Sequence, residues 1–112
     1  MRVIASSSPF GSGARTRVLL ALRLVTESYA RELARLLEFN LSSVQKALQS
    51  LERDGLVAAR AAGRTRLYRL NPRAPARREM ERYLDRLLEP EAELRARTAG
   101  LRRRPRRTGK PL

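Results

Sequence analysis

The stretch from Tyr29 to Asn71, YARELARLLEFNLSSVQKALQSLERDGLVAARAAGRTRLYRLN, decides the fold. Ala30, Leu33, Ala34 and Leu37 recur at helical spacing and predict an amphipathic helix. Phe39-Asn40-Leu41 predicts a short turn, because Asn tolerates the left-handed conformation that ends a helix sharply. Ser42-Ser43-Val44-Gln45 then fits a capping box, with the Ser42 hydroxyl accepting from the amide of residue 45 and Gln45 reaching back. Val44, Ala47, Leu48 and Leu51 form the inner face of the next helix, and Gly55 stops it by supplying a positive φ. Beyond Gly55 the period changes. Leu56 to Ala58 predicts one strand; Thr65, Leu67, Tyr68 and Leu70, with Arg66 and Arg69 interleaved, predict a second. Ala61-Ala62-Gly63-Arg64 is the expected turn, and Pro72 ends the ladder because it has no amide to donate. Helix, tight turn, helix and basic-tipped hairpin is the order of a winged helix-turn-helix. The expected class is therefore mainly α with a small β-hairpin wing.

Working outward, residues 1–13 hold Ser-Ser-Ser-Pro and Gly-Ser-Gly and are expected to form a flexible N-terminal arm, with Phe10 folding back on the core. Residues 14–26 form the first helix. Val18, Ala21, Leu22 and Val25 share one face, while Leu19, Leu20 and Leu24 lie on others. A helix that is apolar nearly all round is either inside a core or shared with a partner, and in so small a domain the surplus points to a dimer contact. Thr26-Glu27-Ser28 is expected to cap the second helix. From about Ala76 a fourth helix carries the stripe Met80, Tyr83, Leu84, Leu87 and Leu88, expected to join Leu19, Leu20 and Leu24 in a two-fold homodimer interface. Pro90 interrupts it, and Glu91 to Ala99 predicts one more short helical piece. Beyond Gly100 the chain reads LRRRPRRTGKPL, too polar to order itself. The expected organisation is thus an arm over 1–13, a winged helix-turn-helix over 14–72, a helical dimerisation segment over 73–99 and a disordered basic tail over 100–112.

Lys and Arg number 25 against 11 acids, a net charge of +14 over 112 residues. Six of those charges lie in residues 102–110 and one at Arg2, so residues 3–101 still carry +7. Such an excess repels itself unless an anionic partner compensates it, and nucleic acid is the partner a clustered-Arg domain fits best. No run approaches the roughly 18 apolar residues of a membrane span. Met1 to Ser8 is too poor in apolar residues for a signal-peptide core, which makes the cytoplasm the expected location. Cys and His are both absent, which excludes thiol nucleophiles, disulfides, zinc fingers and imidazole bases. GSGARTR lacks the spacing of a phosphate-binding loop. Glu27, Glu32 and Glu38 neighbour Arg31 and Arg35, so surface ion pairs account for them. No catalytic, metal-binding or cofactor-binding constellation is expected.

On the helix after the turn, Ser42, Gln45, Lys46, Gln49 and Arg53 cluster opposite Val44 and Leu48. Gln pairs with adenine in two hydrogen bonds, and Lys and Arg favour guanine or phosphate. Ser43 joins Ser42 at the amino end, where free amides favour phosphate. In the hairpin, Arg60, Arg64 and Arg66 flank Gly63, with no acid from Val57 to Arg78. Tyr68 reads as core packing rather than as a base-stacking platform, which gives an RNA module little support. The expected function is sequence-specific double-stranded DNA binding in transcriptional regulation, with helix 42–54 in the major groove and the 60–66 wing on phosphates or the minor groove. Two other classes stand beside it: an adaptor domain acting through protein contacts, and a nonspecific nucleic-acid or RNA binder driven by the tail.

Residues 11–72 resemble winged-helix regulators of the ArsR type, through TRVLLAL, YARELARLL, LSSVQKALQSLERDGLV and GRTRLYRLNP. The same pattern is similar to the winged-helix segment preceding some small nucleotidyltransferase domains. The ArsR-type resemblance implies a dimer whose first and last helices pair, with the third helix in the major groove and the wing alongside. It puts Ser42, Ser43, Gln45, Lys46 and Gln49 on the recognition helix and Arg64 and Arg66 on the wing. Metal-sensing members use Cys or His ligands, so metal sensing does not carry over. Neither an operator nor a small-molecule effector is legible.

Overall fold

The computed structural model describes residues 9–103. Its order is α1 (Gly13–Val25), β1 (Ser28–Tyr29), α2 (Ala30–Leu37), α3 (Leu41–Arg53), β2 (Val57–Ala62), β3 (Thr65–Leu70), α4 (Arg77–Leu88) and α5 (Ala92–Arg103). The three strands form one antiparallel sheet in the order β1-β3-β2. This is a winged helix-turn-helix, as the sequence predicts. Among the described residues, no helix is long and apolar enough to cross a membrane.

The Ser12 hydroxyl caps α1 by accepting from the Arg15 amide at 3.1 Å. This helix is the axle of the molecule: it packs against α2, α3, α4, α5 and β3. Its all-round apolar surface follows from that position, and the expected place of Leu19 and Leu20 at a two-fold interface is corrected to the subunit's own core. Leu19 and Leu20 are 0% exposed within one subunit. Met80, Leu84 and Leu88 of α4 are buried in the same core. The physical reason is α5, which folds back over α1 and α2 and inserts Leu94. Of the eight residues expected at a two-fold interface, only Leu24, Tyr83 and Leu87 keep surface. Tyr83 touches Phe10, with ring centroids 5.9 Å apart, so Phe10 does fold back.

Helix α5 is longer than the 91–99 piece expected. Leu94, Thr98 and Leu101 continue an inner stripe past Gly100, and the Thr98 hydroxyl donates to the Leu94 carbonyl at 3.2 Å. Residues 100–103 are therefore helical rather than the start of a tail. The rest of that tail, and residues 1–8 of the arm, lie outside the described residues. Arg97 of α5 clamps the end of α2: its Nη1 donates to the Leu36 carbonyl at 2.6 Å, and its Nη2 to Glu38 at 3.0 Å and Glu93 at 2.6 Å. These last carbonyls of a helix lack internal partners, so a guanidinium there satisfies an obligatory acceptor.

Three local details differ from expectation. First, Glu38, not Asn40, adopts the left-handed conformation after α2 (φ 60°), and Asn40 instead caps α3. Second, Ser28 does not cap α2. With Tyr29 it forms β1, pairing Ser28 with Tyr68 and Tyr29 with Leu67. The Ser28 hydroxyl, fully buried, donates to Glu32 Oε1 at 2.5 Å. Third, β2 extends to Ala62, so the wing turns on Gly63-Arg64 alone, with Gly63 at φ 65° as a two-residue hairpin requires. Gly55 does end α3 with φ 81°, as expected, and its carbonyl accepts from the Asn71 amide side chain at 2.8 Å.

Candidate nucleic-acid interface

Val44, Leu48 and Leu51 anchor α3 with no exposure, which fixes the helix's rotation about its own axis. Ser42, Gln45, Lys46, Gln49 and Arg53 then face solvent, and Ser43 is half-buried. At the start of the helix, Asn40 Oδ1 accepts both the Ser43 amide at 2.9 Å and the Ser42 hydroxyl at 3.1 Å. The capping box expected at Ser42 is thus displaced to Asn40, and the Ser42 proton is spent inside the turn.

A cleft of about 440 Å³ separates α3 from the wing. Gln45 and Gln49 line its α3 side, Arg64 and Arg66 its wing side, and Arg31 of α2 the rim, with Tyr29 and Tyr68 among its walls. The structure therefore brings two of the expected α3 residues and two of the expected wing residues onto one concave, polar surface. Lys46 and Ser43 line a different cleft, on the side facing α1. Arg53, in the last turn of α3, and Arg60, on β2, line neither.

The wing arginines are not equivalent. Arg60 forks onto Glu27, with Nε–Oε2 at 2.9 Å and Nη2–Oε1 at 3.1 Å. This hydrogen bond, helped by the carboxylate charge, raises the guanidinium above its ordinary pKa. Arg66 Nη2 lies 2.8 Å from Glu52 Oε2 of α3, and its Cζ stands 5.9 Å from the Tyr68 ring centroid. The Glu52 charge is the main cause of its raised pKa. Both cations stay ionised, and each has a carboxylate beside it. Arg64, exposed at the turn, carries no ion pair among the described residues and presents its full charge.

Arg31 is the residue that sequence reasoning missed. It was expected to pair with nearby glutamates. Instead Glu27 binds Arg60, Glu32 takes the Ser28 hydroxyl and Glu38 takes Arg97. Arg31 reaches the cleft because β1 docks the start of α2 against β3. A two-residue strand has no periodicity to reveal it; the aromatic Tyr29 at the helix start was the only hint.

No protein-family model matches the chain, and no curated protein matches it in sequence. Solved structures do share its fold. A "probable transcriptional regulator" from Pseudomonas aeruginosa superposes with a TM-score of 0.59 at 24% identity, over 88% of this chain and 84% of that one. A mutant of ZitR from Lactococcus lactis gives 0.58 at 22% identity, over 87% and 69%. The adhesin competence repressor AdcR from Streptococcus pyogenes gives 0.56 at 18% identity, over 87% and 81%. At these identities the likeness establishes the fold alone, shared with proteins of which one is named a probable transcriptional regulator and one a repressor.

Proposed function

We propose that this protein binds double-stranded DNA as a transcriptional regulator, reading base edges in the major groove with α3 and gripping phosphates or the minor groove with the wing. The ArsR-type resemblance and the regulator names of the structural neighbours support the class. The observation that carries it is the concave surface on which Gln45 and Gln49 face Arg64 and Arg66. Glutamine amides are suited to adenine, guanidiniums to phosphate or guanine, and a groove edge needs both within one helix width. Glu27 and Glu52 are engaged by Arg60 and Arg66. The role is binding rather than catalysis, and the cytoplasm is the location that suits it.

In this reading one copy occupies one half-site. Two copies on an inverted repeat form a homodimer through the side that keeps Leu24, Tyr83 and Leu87 at the surface. Selecting bound genomic fragments and searching them for a repeated half-site tests specificity; sedimentation on one and on two half-sites tests pairing. With about six phosphates neutralised per subunit, log affinity falls against log salt with a slope near −5. A salt-independent affinity, or no duplex binding at moderate salt, would point instead to an adaptor whose third helix packs on protein.

A further inference from the structure

The second cleft beside α3 holds chemistry that the reading above leaves unused. Its volume is about 300 Å³, and Ser12, Arg15, Ser43, Lys46 and Ser50 supply its polar lining. Arg15 is held in place on the protein's own groups. Its Nη2 bonds Asp54 at 2.8 Å, its Nη1 donates to the Ser50 hydroxyl and its Nε to the Phe10 carbonyl. That anchoring orients its neighbours. The Ser50 oxygen accepts from Arg15 Nη1, and the Ser12 oxygen accepts from the Arg15 amide at 3.1 Å. A serine oxygen that already accepts internally keeps its own proton to donate outward. Ser43 adds a third hydroxyl, and Lys46, exposed and without an ion pair among the described residues, adds an ammonium with three donors.

We infer that this cleft binds a phosphodiester oxygen of the DNA backbone, so that Lys46 is a phosphate contact rather than a base reader. Three neutral donors and one cation, with the Asp54 carboxylate paired to Arg15, match a singly charged tetrahedral oxyanion. The geometry fits the proposed docking, on which this inference rests. A helix with its side chains is about 10–12 Å across and the major groove is about 12 Å wide, so the two flanks of α3 face opposite backbones. The wing cleft serves one strand, and the Lys46 cleft serves the other.

The test compares Lys46→Gln, Ser50→Ala and Gln49→Ala with the unaltered full chain, on a selected duplex and on a random duplex, over a salt series. Lys46→Gln is expected to weaken both duplexes by the same factor and to flatten the salt slope by about 0.9. Ser50→Ala is expected to weaken both equally with the slope unchanged. Gln49→Ala is expected to weaken only the selected duplex. Circular dichroism establishes that each variant is folded. A Lys46→Gln loss confined to the selected duplex, or no loss at all, overturns the inference while duplex binding by the unaltered chain leaves the regulator reading standing. Failure of the unaltered chain to bind either duplex overturns both. A free-phosphate site is the other source of the same chemistry. Amide resonances of Ser43, Lys46 and Ser50 are expected to move on adding duplex, not on adding inorganic phosphate at fixed ionic strength; saturation by inorganic phosphate alone overturns the backbone assignment.

Discussion

At the scale of single residues, α3 works by division of labour. Gln49 is exposed on the wing cleft with Gln45, while Asn40 and Ser42 are consumed in building the turn. A glutamine that reads adenine through two hydrogen bonds supplies discrimination rather than bulk affinity. Gln49→Ala is accordingly expected to cost about 1–3 kcal/mol on the preferred sequence and little on random DNA, as measured by fluorescence anisotropy. Equal losses on both would show that the side chain only positions the protein. The polar identity of this face was legible in the sequence because helical spacing alone separates it from Val44 and Leu48. The distribution of its members between two clefts was not, since that depends on where α1 and the wing stand. The cap was misplaced by two residues for a related reason: Asn40 and Ser42 are both competent caps, and only the chain's exit from α2 through the left-handed Glu38 selects between them.

At the scale of elements, paired side chains tie the helices into place. Arg23 of α1 forks onto Asp85 of α4, at 2.8 and 3.1 Å, with Glu81 3.9 Å away. The hydrogen bond from Arg23 holds the Asp85 carboxyl below its ordinary pKa despite some desolvation. A depressed folded-state pKa means the contribution is fully present above the unfolded value of about 3.9 and is lost as pH falls through the lower folded value. Asp85 is half exposed, so the contribution is on the order of 1 kcal/mol or less. Asp85→Asn is expected to lower stability near neutrality by that small amount and to remove part of its decline in acid, read from urea midpoints at pH 7 and pH 2. Unchanged acid behaviour would show the pair to be inert. The helices and the hairpin were legible from their periods. Strand β1 was not: two residues make no pattern, and its existence depends on Tyr68 and Leu67 lying alongside.

At the scale of the whole molecule, α1 sits inside a wrap of other elements, and the surplus of leucine that suggested a partner chain is satisfied by α4 and α5. The sequence shows that Leu19 and Leu20 need cover; it does not show which segment supplies it. One ion pair marks the closure. Arg17 of α1 and Glu91, just before α5, approach to 2.9 Å with side chains only 9% and 10% exposed. No hydrogen bond of good geometry accompanies the contact at Arg17 Nη1, so the attraction is mainly that of charge for charge. Removing one member leaves the other buried and uncompensated. Glu91→Ala is therefore expected to destabilise by about 3–5 kcal/mol, whereas Arg17→Met combined with Glu91→Leu recovers most of the loss. Thermal and urea unfolding of the three proteins would check this, and a mild effect of Glu91→Ala alone would show that water reaches the pair.

The Arg97 clamp couples a late helix of the chain mechanically to an early turn. One guanidinium joins the last described helix to the elbow between α2 and α3. Tension on the C-terminal end is thus delivered straight to that elbow, without first crossing the sheet, so a tether or cargo attached there would tug on the part of the molecule that sets the pitch of α3.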